Sequence, residues 1–406
     1  MTLDAQLTRG APDTDRRTRF AEAVKAGQRI RRSASVPASI CLRDEDLGRG
    51  TGIAPGITML TIVRERHPDK TWDRFVEHHP AATVAHLGGW GRVAARAYGH
   101  TAVAVMAVED DEPIGVLPLV LVRSRLFGRR LVSMPFLDYG GVLVAPDTAR
   151  PGAIEQALVD EAVAVAREAA AHSLGLRQLH PVPLPHPTAA DRVTMLLPLT
   201  TADAMWKALP SERRNRVRKG EKSGLTPSWC GPEALDDFYR VFAVNMRDLG
   251  SPVHSRAFFR VMLEELPDTA RLLMVRDGGG RAVGAAICLF FRDTIMVPWV
   301  SSLREAFALC PNFVLYWEVI RYGCDNGYRL LDLGRSFRNA GTYEFKRQWG
   351  AQPHTLPWIF IDTTPGAAPS VERDTSRFAG LIRAWKRLPV PAANLLGPWI
   401  RGQVPN

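Results

Sequence analysis

The chain has 406 residues, of which 46% are hydrophobic, and its 52 Lys and Arg exceed its 42 Asp and Glu to give a net charge of +10. These statistics are globular, and the length favours two domains. The longest apolar run, residues 114–122, is far below the roughly 18 residues of a transmembrane helix, which excludes a membrane-spanning protein. The positive balance favours anionic partners such as RNA, nucleotide phosphates or acidic lipid headgroups.

Several common functional motifs are absent from the sequence. The five cysteines stand singly without a CxxC pair, and the histidines form no HExxH or similar spacing, so we expect free thiols and no bound metal. The lack of GxSxG, Walker A and GxGxxG patterns removes the commonest hydrolase, nucleotidase and dinucleotide-binding functions. The amino end lacks the order of a secretory signal, so we expect a cytoplasmic protein.

The pattern of the first half predicts an arm followed by alternating strands and helices. Residues 1–56 are rich in Arg, Asp, Ala, Gly and Pro without sustained periodicity, which predicts a mostly disordered arm. The predicted elements that follow are a strand at 57–64, helical turns within 71–98, strands at 101–108, 113–123 and 130–144, an Ala-rich helix at 154–172 and a strand at 176–182.

The second half repeats this order of elements. Its predicted elements are helices at 235–249 and 256–266, strands at 270–275, 282–291 and 294–301, a helix at 311–325 and strands at 328–333 and 357–361. Two tandem α/β domains with mixed sheets, at 57–199 and 200–365, explain the repetition better than one continuous sheet. Coincidence among short elements is the alternative. Residues 366–406 then form a basic tail.

A dense basic segment lies between the two predicted domains, at residues 211–224. If it is helical from a Ser211 cap, Arg214, Arg218 and Lys222 recur every four residues and form one cationic stripe able to meet successive phosphates. The alternative is a solvated helix face without a ligand.

Four motifs in the second half, together with the tail, resemble one protein family. They are RRNRVRKGEK at 213–222, CPNFVLYWE at 310–318, LDLGRS at 331–336, YEFKRQWG at 343–350 and WKRLPVPAANLLGP at 385–398. They look like the FemAB-type branch of the GNAT acyltransferase superfamily, and more narrowly like the FemAB-like proteins found beside exosortase and PEP-CTERM exopolysaccharide systems. The resemblance is strong from about residue 210 to 398 and weaker over 57–199.

The resemblance implies two GNAT-like domains, with mainly antiparallel sheets, that transfer an acyl or aminoacyl group onto an amine. In Fem ligases the donor is an aminoacyl-tRNA and the acceptor is a peptidoglycan precursor. The family's Phe-Lys pair, which lies near the reacting carbonyl, matches Phe345 and Lys346. A fixed lysine there would stabilise the negative charge of a tetrahedral intermediate, so Lys346 is the first catalytic candidate.

The remaining candidates come from the same motifs. Asp332 could orient Arg335 or accept a proton, and Glu344 is another candidate base. Arg335 suits a phosphate or carboxylate because its guanidinium donates two parallel hydrogen bonds. The predicted substrate-binding residues are Arg214, Arg218, Lys222, Asn312, Arg335, Ser336, Tyr343 and Phe345. An aromatic such as Tyr343 is more often part of a core.

One absence bears on the donor. Acetyl-CoA-dependent GNAT enzymes usually hold the pyrophosphate on a glycine-rich loop before a helix, whereas residues 302–312 contain no glycine. Because this loop departs from the acetyl-CoA-binding pattern, the resemblance favours an aminoacyl-tRNA or another activated acyl donor, with acyl-CoA as the alternative. The basic stripe fits a tRNA and a nucleotide-linked sugar equally well.

The tail is predicted to be a basic amphipathic helix that stops near Leu388, before two prolines. Its apolar face consists of Phe378, Leu381, Ile382, Trp385 and Leu388. It could lie on the inner face of an anionic membrane or pack against the protein body. If it reaches the membrane, a lipid-linked acceptor would suit it.

Three functions therefore compete. The first is a FemAB-like transferase acting on an amino group of a saccharide or peptide in cell-envelope or exopolysaccharide assembly. The second is an acyl-CoA-dependent N-acetyltransferase of GNAT type. The third is a noncatalytic binding module that retains the GNAT frame.

Overall fold

The computed structural model describes residues 39–40, 60–66, 68–338, 340–363 and 379–404. The predicted arm, except for residues 39–40, and residue Phe378 of the predicted tail helix lie outside this part of the chain. The elements of the first half are β1 Ser39–Ile40, β2 Leu60–Glu65, α1 Lys70–His78, α2 Gly89–Tyr98, β3 Thr101–Glu109, β4 Glu112–Ser124, β5 Gly128–Val132, β6 Leu143–Val144, α3 Pro151–Glu168, β7 Ser173–Arg177, β8 Thr188–Ala189 and β9 Arg192–Pro198.

The second half begins with two short helices that precede its sheet. Its elements are α4 Ala202–Ala208, α5 Ser211–Lys222, β10 Thr226–Cys230, α6 Leu235–Leu249, α7 Arg256–Glu265, β11 Ala270–Arg276, β12 Ala282–Phe291, β13 Thr294–Ser302, α8 Pro311–Asp325, β14 Leu330–Phe337, α9 Gly341–Arg347, β15 Gln352–Thr355, β16 Trp358–Asp362, α10 Ala379–Trp385 and α11 Val390–Gln403.

Two mixed sheets organise the described chain. The first has the order β1-β2-β3-β4-β5-β7-β16-β8, with β6 added on β4, and the second has the order β10-β11-β12-β13-β14-β9-β15. Each sheet contains one parallel pair, β5·β7 or β13·β14, and its other pairs are antiparallel. In each half one long helix, α3 or α8, connects the parallel strands. The predicted fold of two tandem GNAT-like α/β domains is confirmed.

The two sheets exchange strands, which differs from the predicted domain limits. Strand β9 precedes the second half in sequence but lies between β14 and β15, and β16 follows that half but pairs with β7 and β8 of the first sheet. The predicted boundary at 199/200 therefore separates a central strand from its own sheet. The reason is that pairing partners lie more than 100 residues apart, beyond the reach of a local pattern.

Each parallel pair is short. In the second sheet only Thr294, Ile295 and Met296 of β13 pair with β14, although both strands continue, so the two strands separate. In the first sheet β5 itself ends at Val132, and the buried Arg177 Nη1 lies 2.7–3.0 Å from three carbonyl oxygens of the loop that follows. The opening between β13 and β14 is where the candidate site lies.

Two sequence predictions of local structure are wrong. The third strand stops at Val132 instead of 144, because the segment 133–142 turns at Met134 and Gly140, both with positive φ. Helix α5 forms as predicted, but its cap is Pro210 and not Ser211. The tail helix stops before Leu388 as predicted, with α10 ending at Trp385, and a further helix that was not predicted, α11, follows with Pro391 in its first turn, where proline is tolerated.

No helix in the described ranges combines the length and apolar character that crossing a membrane requires.

The strand exchange predicts that a cavity in β9 destabilises both halves together. Leu197 of β9 is buried in the core of the second half, so Leu197→Ala should lower the free energy of unfolding by about 2–5 kcal/mol. The exposed Leu249→Ala variant is the control and should stay within about 0.5 kcal/mol. Hydrogen exchange in denaturant should show β4 and β12 opening together in Leu197→Ala; faster exchange in only one sheet would contradict the coupling.

Candidate active site

Lys346 lies inside the opening between β13 and β14. On α9, Phe345 packs against Phe313 and Tyr316, which leaves the next side chain facing the interior. Lys346 is 8% exposed, and its Nζ donates to the carbonyl oxygens of Gly334 and Arg335 at 2.9 and 3.0 Å. The bend of β14 at Gly334, which has φ +75°, presents these carbonyls.

The environment of Lys346 lowers its pKa without removing its charge at neutral pH. Burial lowers the pKa of Lys346 to about 8, while the carboxylates of Asp138 and Asp332 oppose that shift. An ammonium with this pKa is mostly charged at pH 7 and loses its charge above pH 8. The site therefore holds a cation in a water-poor opening, where its field is strong.

Asp332 holds the bend in β14. Its fully buried carboxylate accepts hydrogen bonds from the hydroxyls of Tyr139 and Thr194 and, at 2.8 Å, from the backbone N–H of Gly334. Burial raises the pKa of Asp332 despite these three donors. Because its oxygens are engaged and covered, Asp332 fits the role of a positioning residue and not the predicted role of a base that meets an acceptor.

A carboxylate that the sequence analysis missed, Asp138, reaches the site from the first sheet. Its Oδ2 accepts from the backbone N–H of Arg335 at 3.1 Å, and its Oδ1 lies 3.2 Å from Arg335 Nε. The indole N–H of Trp358 donates to the Asp138 carbonyl at 3.0 Å. Asp138 is half-buried, whereas Asp332 is fully buried, so Asp138 is the one of these two carboxylates that solvent can reach.

A local signal in the sequence could have identified this loop. Pro135 and the Gly140-Gly141 pair interrupt the apolar stretch that was predicted as a strand, and they are typical of a turn. A polar pair, Asp138 and Tyr139, lies between those breakers. Loops of this kind at the end of a sheet strand often carry functional side chains.

Three arginines lie around the indole ring of Trp358 at the edge of the site. The guanidinium of the half-buried Arg335 lies 5.2 Å from the ring centre, that of the half-buried Arg192, from β9, lies 4.6 Å from it, and that of the buried Arg177 lies 4.5 Å from it. Burial lowers the pKa of Arg192, and the nearby Arg335 adds to that effect. Two cations held this close favour an anion such as a phosphate or a carboxylate.

Some predicted site residues lie beside this cluster without a matching contact. Ser336 is buried on β14, and its hydroxyl has no hydrogen-bond partner among the described residues. Glu344 pairs with Arg347 at 3.0 Å on the solvent side of α9, away from Lys346. Tyr343 and Phe345 pack against the core, and Asn312 accepts a hydrogen bond from Ser302 at 2.7 Å.

The predicted cationic stripe is only partly available for a ligand. Arg214 is half-buried and donates to the carbonyls of Lys207 and Leu209, while Arg218 lies over the Trp206 ring at 5.3 Å. Lys222 is exposed, as are Arg216 and Lys219 on the same helix. Arg218 is exposed as well, so two of the three residues of the predicted stripe, Arg218 and Lys222, face solvent together with Arg216 and Lys219.

The segment before α8 lacks a ready anion cradle. A short 3-10 helix, Arg304–Leu309, leads into it, and Cys310 adopts a positive φ of 67°. The backbone N–H groups of Ala306, Cys310, Phe313 and Val314 already donate to carbonyls within the segment. These four amides are not free to hold a pyrophosphate.

One protein family model matches the part of the chain that carries Lys346. Residues 211–347 match the family model of the acetyltransferase (GNAT) domain. The matched segment begins with α5 and ends on α9, the helix of Lys346. The predicted acyltransferase class is confirmed by this match. A search of curated proteins found no match.

The described chain also resembles solved structures. The crystal structure of FemX is 15% identical with a TM-score of 0.59, covering 73% of this chain and 97% of that chain. The structure of L-PGS from Bacillus licheniformis is 12% identical with a TM-score of 0.49, covering 79% and 97%. A tandem GNAT protein from the clavulanic acid biosynthesis pathway, without AcCoA, is 15% identical with a TM-score of 0.48, covering 76% and 100%. The likeness to FemX shows a common fold.

The bend at Gly334 allows a test with a matched control. Gly334→Ala places a methyl group in ordinary contact with Val297, Asp138 and Lys346 at φ +75°, and Gly327→Ala places one in open space at φ +77°. Each substitution should lower the free energy of unfolding by about 1–2 kcal/mol. Only Gly334→Ala should also lower turnover, because it moves the carbonyls that hold Lys346. Equal turnover in the two variants would show that the bend does not serve the site.

Proposed function

We propose that the protein transfers an acyl or aminoacyl group from an activated carrier to an amino group of a saccharide or peptide in cell-envelope or exopolysaccharide assembly. The observation that carries the proposal is the buried ammonium of Lys346, held in the opening of a GNAT domain beside Asp138. The motif resemblance to FemAB-type proteins found beside exosortase and PEP-CTERM systems supports a role in cell-envelope or exopolysaccharide assembly.

In this mechanism Lys346 stabilises the oxyanion. Attack of the acceptor nitrogen on the donor carbonyl forms a C–N bond and moves an electron pair onto the carbonyl oxygen. Two Nζ hydrogens of Lys346 are used by Gly334 and Arg335, and the third has no acceptor among the described residues, so it is available to the developing oxyanion. A cation already fixed in place does not have to reorganise as the charge forms.

Asp138 is the proposed proton acceptor. Its carboxylate takes the proton from the attacking nitrogen, and that proton passes to the leaving oxygen or sulfur as its bond to the carbonyl carbon breaks. Asp332 stays in its buried network and maintains the shape of β14. The guanidiniums of Arg335 and Arg192 then suit an anionic part of a substrate, such as a phosphate.

The preferred donor is an aminoacyl-tRNA, and acyl-CoA remains the alternative because the matched model is that of an acetyltransferase domain. The engaged amides before α8 favour a donor that is not held by a pyrophosphate cradle. Helix α5 adjoins the site, since Arg213 lies over Phe313 and Phe345 at 5.2 and 5.9 Å. Its exposed Arg216 and Lys219 could meet tRNA phosphates.

Replacement of Lys346 tests the oxyanion role. Lys346→Ala should lower kcat by about 10²–10³-fold with a smaller change in KM, because the contact strengthens only as charge develops. Arg347→Ala is the neighbouring control; its side chain is exposed and pairs with Glu344, so it should keep parental turnover. Transfer of labelled amino acids from charged tRNA to an amine acceptor provides the measurement. Equal kcat in Lys346→Ala and the parent protein would remove Lys346 from the mechanism.

The pH profile provides an independent readout of the same role. The pKa of Lys346 is about 8, so the parental rate should fall as pH rises through 8 and the ammonium becomes neutral. Lys346→Arg keeps its charge over that range, and any residual activity should lack the decline. A parental profile that rises through pH 8 would assign the neutral amine, and not the cation, to the reaction.

Charge reversal on α5 tests the donor class. Arg216→Glu combined with Lys219→Glu should raise KM for charged tRNA and reduce its dependence on salt, because phosphate contacts release counterions. Arg260→Glu on α7 is an exposed control and should change neither quantity. Calorimetry with acetyl-CoA should show no binding to the parent protein. Tight acetyl-CoA binding, with tRNA kinetics unaffected by the α5 changes, would favour the acyl-CoA alternative.

A further inference from the structure

The last helix of the chain, α11, presents an apolar face to solvent. Leu395, Leu396 and Trp399 are 79%, 47% and 49% exposed, and their spacing places them on one side of the helix. Pro391 and Ala392 lie on the same side and extend the face without adding charge. Three large exposed apolar side chains on one helix form an apolar patch, and such patches commonly mark interaction sites.

This face is held outward by close packing of the opposite side. On that opposite side Gly397 leaves no room for a side chain against Val253. Arg401 is half-buried there, and its Nε donates to His254 Nε2 at 2.9 Å. Gly402 continues the stripe of Leu395 and Trp399 and packs against Tyr98, so the exposed face ends at that point. Within the described residues, the rest of this face is not covered.

The surroundings of the apolar face are cationic. Arg383 of α10 and Lys386 and Arg387 of the turn after it are exposed just before α11, and residues 379–404 contain no Asp or Glu. These cations precede α11 in the chain, so they do not interrupt its apolar face. Exposed leucine and tryptophan beside a basic segment are typical of a membrane-surface helix.

A second, distant part of the chain adds the same chemistry. The turn between β4 and β5 exposes Leu126, which is 52% accessible, together with Arg123, Arg125 and Arg129. The turn is joined to the end of α11, where the backbone N–H of Arg125 donates to the side-chain oxygen of Gln403. A leucine flanked by exposed arginines thus lies on a turn that contacts the end of α11.

We propose that α11 and the β4–β5 turn dock on an anionic lipid bilayer, with Leu126, Leu395, Leu396 and Trp399 entering the interface and the six flanking cations meeting lipid phosphates. The charge pattern favours a bilayer over a second copy of the chain as the binding partner, because self-association through this face would bring the six cations of one molecule close to those of the other. A bilayer provides both an apolar layer and anionic groups beside it. This docking does not depend on the identity of the transferred group.

Vesicle flotation with the full chain tests the proposal. The protein should float with phosphatidylcholine vesicles that contain phosphatidylglycerol and should remain unbound with pure phosphatidylcholine. Leu395→Glu combined with Trp399→Glu should reduce the bound fraction by about tenfold, and so should Arg383→Glu combined with Lys386→Glu. Phe307→Glu replaces a similarly exposed apolar residue elsewhere and should bind as the parent does. Thermal unfolding of all variants checks that they remain folded.

The outcomes separate the alternatives. Quenching of tryptophan emission by brominated phosphatidylglycerol, reduced in Trp399→Phe, would support insertion of this residue. Equal binding to neutral and anionic vesicles, or no binding to either, would overturn the proposal. A concentration-dependent dimer of the parent protein that becomes monomeric in Leu395→Glu would assign the face to self-association and would also overturn it.

Discussion

The contact on which the site depends is the one between Asp138 and Arg335. One carboxylate of the first half accepts from both the backbone and the side chain of an arginine in the second half. It fixes the loop after β5 against the bend of β14, where the carbonyls that hold Lys346 are presented. Neither half contains a complete site by itself, since the carboxylate beside Lys346 comes from one sheet and the lysine from the other half.

The exchange of strands brings further residues to the same contact. With β9 in the second sheet and β16 in the first, Arg192 and Trp358 both approach Arg335 from strands that have changed sheets. The two parallel pairs differ in what lies beyond them. After β5 the side chain of Arg177 holds a loop by hydrogen bonds to its backbone, while beyond the β13–β14 pair lies a lysine whose pKa is lowered by burial.

The sequence predicted the limits of individual helices and strands well. It did not predict which strands from distant parts of the chain pair with each other. Helix α6 and strand β12 have the predicted limits, because their apolar periodicity is strong and a glycine turn separates β11 from β12. The motif resemblance suggested Lys346, Arg335 and Asp332, which the structure places close together. Asp138 and Arg192 were missed, since each is more than 140 residues in sequence from Arg335, beside which it lies, and neither belongs to a motif.

Titration of the Lys346 ammonium by NMR would test the central claim most directly. If Asp138 reaches across from the first sheet, its negative charge raises the pKa of Lys346, and Asp138→Asn should lower that pKa further below its value of about 8. The exposed Asp191→Asn variant, whose carboxylate pairs with Arg192, is the control for a general change in charge. An unchanged Lys346 pKa in Asp138→Asn would contradict a site built jointly by the two halves.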